Sequence, residues 1–422
     1  MLTLKTYPCG LRLVIDYLPD RQVENVAFFV ASGAGYDLEN KEGIAHFYEH
    51  MFFKSTKNRS SYDVNLQLDN LGAGGNAYTG HDKTCYYSKV TTDQTEKLFE
   101  LLSDCFFNGL FLDEEIRTEK GVVCSEIDRY QDDYLDCSIE AFNKIFFDGT
   151  SYSHPILGSK ESVMSITSED LKEYRKKNNT AEHLIISVAG GVCPEEIERF
   201  VKKYVLPNFE GVGEPVVYSN AEQTIFKPKQ NLVFTQKTTE QVYLFYGCPI
   251  ERIDNEKFIL SRIGSILFGG VMSSRLFQRL REKEGLVYSV SSSVDSLAVS
   301  GCFTSFLITN KSNAKKAILA FKDEIDNFLE KGFSESELEN GKTLLKANLK
   351  ISNDNLSTRT IRNASYILDK GKCFDIDEEI QKIDSLALQD LNSHFRNILI
   401  NKNYIVSICA NENDLNVLEL LK

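Results

Sequence analysis

Ala45-His-Phe-Tyr-Glu-His-Met-Phe-Phe53 and Leu260-Ser-Arg-Ile-Gly-Ser-Ile-Leu-Phe268 align without a gap, and reading the two together decides the architecture of this 422-residue chain. Around them, Val242 to Tyr246 repeats the pattern of Val26 to Val30. Phe111, Glu115, Ile116 and Lys120 return at a constant offset as Phe333, Glu337, Leu338 and Lys342. The chain is therefore a divergent duplication. Single cores seldom grow past about 250 residues, so two domains are expected on length as well. Between them the pattern lapses into Asn208-Phe-Glu-Gly-Val-Gly-Glu-Pro215, a linker composition. The predicted division is residues 1–207, a linker at 208–222, and a homologous domain at 223–422.

Within the first copy, Leu2 to Tyr7 and Leu11 to Leu18 read as a hairpin turning at Cys9-Gly10, and Val23 to Ala31 as a further strand. A helix is predicted from about Gly43 to Lys54, with Ile44, Phe47, Tyr48 and Met51 at helical spacing and Asn40 as its cap. Asp63 to Leu71 predicts a second helix leading into Gly72-Ala73-Gly74-Gly75. Strands follow at Asn76 to Thr79 and Thr84 to Val90, then helices at Asp93 to Asn108 and Asp113 to Asp132. A strand at His183 to Ala189 and a helix after Pro194 complete the copy.

The copies differ where chemistry would sit. Opposite His46, Glu49 and His50 stand Ser261, Gly264 and Ser265, and opposite Glu126 stands Asn348. A structural role shared by both halves would persist in both, so these residues serve something only one half needs. Histidines four apart on a helix share a face one turn apart and can aim their rings at one ion. Glu49 lies on the same side, where it can reach water at that ion without being a ligand, as a general base must. The HxxEH order reverses the HExxH arrangement while preserving its chemistry. A catalytic zinc site needs a third protein ligand. With only six histidines in the chain, a carboxylate is the natural candidate. Glu126 lies on the helix from Asp113, and Glu119, two turns earlier on the same face, could hydrogen-bond a ligand from behind. By spacing alone, however, Glu126 reads as a solvated carboxylate among Glu114, Glu115, Asp128, Asp132 and Asp133, so the third ligand stays open at this point.

Hydrophobic residues at 42% and charged residues at 26% suit a soluble globular chain, and no apolar run reaches membrane-spanning length. The start, Met-Leu-Thr-Leu-Lys, lacks the basic and apolar pattern of a cleaved secretion signal. Ten cysteines without a CxxC pair or regular spacing suggest buried thiols in a reducing compartment, and a cytoplasmic location is expected. A formal charge of -13 argues against nucleic acid as a partner.

Four segments in order carry a resemblance to a known family: Gly43-Ile-Ala-His-Phe-Tyr-Glu-His-Met-Phe-Phe-Lys-Ser-Thr56, Gly72-Ala-Gly-Gly-Asn-Ala-Tyr-Thr79, Glu119 with Glu126, and Ser273-Ser-Arg-Leu-Phe through Arg281-Glu-Lys-Glu-Gly-Leu-Val-Tyr288. Over nearly its whole length the chain resembles the pitrilysin/insulinase superfamily of inverted-motif zinc peptidases, in its bacterial, mitochondrial-processing-peptidase-like branch. The resemblance implies an α+β fold of two homologous domains, each a mostly antiparallel sheet with helices packed on one face. It implies one zinc ion (Zn2+) per chain held by His46, His50 and Glu126, with Glu49 as catalytic base and Glu119 as supporting carboxylate. Asn76 and Ala77 match an edge strand on which a substrate peptide is laid as an added strand. Arg281 and Tyr288 match a pair from the metal-free half that contacts substrate near the scissile bond.

Two departures are visible. Ser55 replaces the glycine common after the motif lysine, and Gly80-His81 follows Asn-Ala-Tyr-Thr where polar or basic residues are more usual. The implied function is a zinc-dependent endopeptidase that hydrolyses peptides or unfolded segments inside a clamshell chamber of four related domains. This chain carries two, so a second chain is implied: a homodimer, or a heterodimer with a related subunit. The alternative is a non-catalytic peptide-binding or partner subunit of a related peptidase complex.

Overall fold

Strand-forming residues open the chain, and the hairpin forms: β1 (Leu2–Thr6) pairs antiparallel with β2 (Arg12–Tyr17), the turn passing through Gly10 at φ 93°. The computed structural model describes every residue except Ala73, Ala221, Ile225, Lys402, Asn413, Asp414 and Lys422, so Ala73 of the glycine-rich segment lies outside the described residues. Next come β3 (Val23–Val30), α1 (Ile44–His50), α2 (Ser61–Asn70), β4 (Asn76–Thr79), β5 (Thr84–Thr91), α3 (Thr95–Asn108) and α4 (Asp113–Asp132). After these follow α5 (Tyr134–Phe146), α6 (Lys160–Ser165), α7 (Ser168–Asn178), β6 (Leu184–Gly190) and α8 (Pro194–Phe200). The second half runs β7 (Leu232–Gln236), β8 (Gln241–Ile250), α9 (Phe258–Ser265), β9 (Ser289–Ser296), β10 (Gly301–Asn310), α10 (Lys311–Lys331) and α11 (Glu335–Ser352). It ends with α12 (Leu356–Lys370), α13 (Ile376–Asp384), α14 (Leu388–Leu399), β11 (Ile405–Ala410) and α15 (Val417–Leu420). Among the described residues no helix is long and apolar enough to cross a membrane.

The strands make a six-stranded sheet, β1-β2-β6-β3-β5-β4, and a five-stranded sheet, β7-β11-β8-β10-β9. Each has a single parallel pair, β2 with β6 and β7 with β11, and is otherwise antiparallel. The shared order is the duplication made visible, and the fold is the α+β arrangement expected. Two compact units form, and neither is one continuous stretch. The first holds Met1–Asp128, His154–Asn220 and Lys350–Phe374; the second holds Arg129–Ser153, Ala221–Leu349 and Asp375–Lys422. The spatial units thus differ from the division into 1–207 and 223–422 by an exchange of helices: α5 joins the second unit and α12 the first. Helical periodicity tells that a helix buries an apolar face, and it cannot tell which sheet receives it.

In the first unit, Phe28 of β3 packs on Phe99 and Phe106 of α3, with ring centroids 6.5 and 5.5 Å away. Asn25, an odd number of positions earlier, points to the other face. There it accepts a hydrogen bond from Ser357 of α12 at 3.2 Å. Arg359 of the same helix grips Asp16 of β2 with two bonds of 2.7 and 2.8 Å, and Ser187 of β6 donates to the Thr360 carbonyl at 2.7 Å. Besides the helical layer on one face, each sheet therefore carries a helix the sequence did not assign to it. In the second unit that helix is α5, whose Phe142 and Phe146 join a buried cluster with Phe226 and Phe245.

Helix α1 begins abruptly. Its N-cap, Gly43, has φ 89°, and a Cβ there would meet the Leu157 carbonyl oxygen at 2.3 Å, so only glycine fits. The expected cap, Asn40, lies outside the helix at φ 60°, and the role falls to Asp37, whose carboxylate accepts from the N–H groups of Gly43 at 2.6 Å and Ala45 at 3.0 Å. The helix also ends at His50, short of Lys54, because Thr56 bridges to Gly109 and draws the chain away. Replacing Asp37 with Ala leaves two helix-end donors unmet and should cost about 1–2 kcal/mol in urea unfolding, whereas Asn40→Gly should be neutral. Equal effects of the two substitutions would contradict this capping assignment.

Candidate metal centre

The buried residues Ile44, Ala45, Phe47 and Tyr48 fasten α1 in the core. Tyr48 packs on Phe111 and Tyr174, and its hydroxyl accepts from Asn179 at 2.9 Å. The helix is thereby held with His46 and His50 stacked one turn apart, their ring centroids separated by 4.7 Å. Helix α4 is anchored by buried Ile116, Val123 and Ile127 and turns Glu119 and Glu126 toward the histidines. Glu126 Oε2 lies 3.7 Å from His46 Nε2 and 3.3 Å from His50 Nε2, and one ligand atom from each residue falls within 4.8 Å of the others.

These separations suit a metal. Donors about 2.0–2.2 Å from a tetrahedral zinc stand about 3.3–3.5 Å apart. The protonation pattern fits too. His50 Nδ1 lies 3.1 Å from Glu119 Oε2, so this nitrogen carries the proton and the lone pair is left on Nε2, facing Glu126 and His46. Lys54 holds the other oxygen of Glu119. Among the described residues, His46 Nδ1 has no hydrogen-bond partner, and its Nε2 faces the cluster. Two imidazole lone pairs and a carboxylate oxygen aimed at one point are a donor set for a cation.

The electrostatics distinguish the two histidines. Burial first, then the neighbouring His50, brings His46 down to about 4 against the pull of Glu126, so it stays a neutral donor. For His50, burial opposes protonation, but the hydrogen bond and charge of Glu119, with Glu49 and Glu126, outweigh it and raise its pKa. Burial would raise Glu119 likewise, yet hydrogen bonds from His50 and Lys54 hold it below the ordinary value. Glu49 is raised by burial, against a hydrogen bond from the Thr79 hydroxyl at 2.5 Å. A carboxylate whose proton affinity is increased is suited to act as a base near neutral pH.

Asn76 and Ala77 lie on β4, which ends the first sheet and among the described residues pairs only with β5. Asn76 is exposed, and its side-chain oxygen accepts the Ala77 N–H at 2.9 Å. Arg281 and Tyr288 belong to the second unit. Arg281 is exposed, with its guanidinium 5.2 Å from the Phe277 ring centroid. Tyr288 is 74% exposed although Leu286 and Val287 beside it are buried. An aromatic ring held in solvent is not the core residue that hydropathy alone would make it. Thr79 and Lys54 were not singled out from the sequence, although both lie within the quoted motifs.

In the second unit the matching positions are filled by packing. Ser261 shares a hydrogen bond of 2.7 Å with His394 Nε2, both buried. A Cβ on Gly264 would strike the Phe395 ring at 2.3 Å, and one on Gly341, opposite Glu119, would meet Leu267 at 3.1 Å. Hydrocarbon fills the space around Gly264 and Gly341, Ser261 keeps a polar partner, and Asn348, opposite Glu126, is exposed.

Comparison with known proteins agrees with this asymmetry. Residues 12–160 match the family model described as insulinase (peptidase family M16), and residues 165–345 match the peptidase M16 inactive domain. An uncharacterized zinc protease, YmxG, of Bacillus subtilis is 29% identical, the match covering 96% of this chain and 98% of that one. An uncharacterized zinc protease of Rickettsia felis is 32% identical over 90% of this chain and 91% of its own. A peptidase M16 inactive-domain structure from Pseudomonas fluorescens superposes with a TM-score of 0.88 at 17% identity, over 97% of this chain and 98% of that one, which speaks for the fold. With its two copies matched in order and its donor cluster in the first, the chain belongs to the insulinase family, peptidase family M16.

Proposed function

We propose that this chain is a zinc-dependent endopeptidase acting on peptides or unfolded segments. The observation that carries the reading is the convergence of His46 Nε2, His50 Nε2 and Glu126 Oε2, with the Glu49 carboxyl beside them on the same helix. Zinc held by His46, His50 and Glu126 would supply Lewis acidity, polarising the scissile carbonyl and making water acid enough to lose a proton near neutral pH. Glu49 accepts that proton as the water attacks and delivers it to the departing amine nitrogen. Thr79 steadies one oxygen of Glu49, which leaves the other for the proton.

The substrate lies as an added strand along β4, gripped through backbone groups, so the enzyme reads extended conformation more than side chains. For such pairing the Asn76 side chain gives up the Ala77 N–H to the incoming peptide. Arg281 and Tyr288 stabilise the oxygen that gains charge. They are supplied by the second half of a partner chain, so the working form is a homodimer enclosing a chamber that excludes folded proteins. Ten free thiols, most of them buried, support a reducing compartment, the cytoplasm.

Glu49→Gln should lower peptide cleavage by about 100- to 10,000-fold while leaving one zinc per chain by metal analysis. A fully active Glu49→Gln protein would remove the assigned role, and a wild type that binds zinc and peptides without cleaving them would point to the non-catalytic subunit instead. Tyr288→Phe should lower kcat with KM little changed. Mixing the Glu49→Gln and Tyr288→Phe proteins should raise cleavage above the average of the two, because exchange creates dimers with one intact site; mixtures no more active than that average would argue against action across a dimer interface.

A further inference from the structure

Beyond α1 the chain does not wander. Lys54 and Ser55 run against the first turns of α4, and each takes hold of a carboxylate there. Lys54 pairs with Glu119 Oε1, whose other oxygen meets His50 Nδ1 at 3.1 Å. The Ser55 hydroxyl donates to Glu115 Oε1 at 2.6 Å, and its N–H stands 3.3 Å from both oxygens of the same group. The Ser55 oxygen in turn accepts the Ser61 N–H at 3.0 Å.

The segment making these bonds is itself anchored to α3. The Ser55 carbonyl accepts from Leu110 at 2.9 Å, the Lys57 N–H donates to the Asn108 carbonyl at 3.0 Å, and the Thr56 hydroxyl donates to buried Asp104 at 2.7 Å. Asp104 also gathers Asn58, Arg59 and Asn108. A fixed segment therefore grips α4 at two successive turns, since Glu115 and Glu119 stand four residues apart on one face. Glu126 lies two turns further along that face.

From this we propose that Lys54 and Ser55 are positioning residues, a clasp that sets the rotation and axial position of α4 so that Glu126 meets the histidine pair. Two grips on adjacent turns fix both degrees of freedom, where one would leave a pivot. A slip of a single residue turns a helix by about 100° and would carry Glu126 off the site. Lys54 has a second effect: by occupying Oε1 it leaves Oε2 of the nearly buried Glu119 to hold His50 in the donor tautomer. A glycine at position 55 would offer no hydroxyl for Glu115. The clasp rests on the metal reading above.

The test uses full-length, zinc-free protein titrated against a chromophoric chelator, with cobalt(II) absorption as a readout of ligand geometry. Lys54→Met should weaken zinc binding by about 10- to 100-fold and change the cobalt bands. Lys54→Arg should recover most of that affinity, and Ser55→Gly should weaken binding roughly 3- to 10-fold, as expected when part of the free energy of one hydroxyl–carboxylate hydrogen bond reaches the site. Thermal unfolding of the zinc-free variants separates folding from positioning. A Lys54→Met protein with wild-type affinity and spectrum overturns the clasp. So does a Lys54→Arg protein that binds no better than Lys54→Met while both melt equally early, since that is a purely structural role. Wild-type protein that takes up no zinc would instead sink the metal reading, and the clasp would fall with it.

Discussion

Two imidazole lone pairs and a carboxylate oxygen meet in a partly buried space, and this convergence is the constraint on which the first unit depends. Imidazole lone pairs and a carboxylate oxygen at this spacing are a set of donors that suits a cation. The surrounding structure supports it at each point. Asp37 and Gly43 start α1 abruptly, Tyr48 and its aromatic neighbours hold the helix in the core, and Glu119 fixes the tautomer of the outer histidine. Glu49 shares the helix, so whatever places the histidines places its carboxyl as well.

The second unit shows what the same scaffold does when that constraint is lifted. Its helix α9 keeps the apolar pattern of α1, yet the donor positions have become serine and glycine. The space has not been left open. Phe395 lies where the equivalent of Glu49 would project, and His394 bonds to Ser261. Close packing of this kind follows from the cost of a cavity, which an interior relieves by filling. The pairing of an active-type and an inactive-type domain in the family matches is thus written into local packing, side chain by side chain.

Exchange of α5 and α12 between the units has a physical logic of its own. Each sheet has two faces, and a continuous half supplies a helical layer for one. The second face of the first sheet carries polar groups such as Asp16, Asn25 and Ser187, which suit a helix bearing Ser357, Arg359 and Thr360. The matching face of the second sheet is aromatic and receives Phe142 and Phe146. The two exchanged helices are therefore not interchangeable, because one docks through hydrogen bonds and a bidentate ion pair and the other through hydrocarbon.

Much of this was legible in the residues. The hairpin at Cys9-Gly10, strand β4 and helix α4 follow from period and turn chemistry, which are local properties, and the comparison of Ala45–Phe53 with Leu260–Phe268 isolates His46, Glu49 and His50 on α1 without any coordinates. Glu126 was not separable from its acidic neighbours by spacing, since a carboxylate facing water and one facing a histidine pair look alike until a second helix is laid beside them. The cap was misread for a related reason: Asn40 has the right chemistry and a left-handed backbone, while Asp37 reaches the helix end only through the folded loop. By itself the sequence determined the duplication, the order of elements and the HxxEH face of α1. Only the tertiary structure decided which carboxylate joins the histidines, what Lys54 and Ser55 hold, and which sheet receives α5 and α12, because these depend on contacts between segments far apart along the chain.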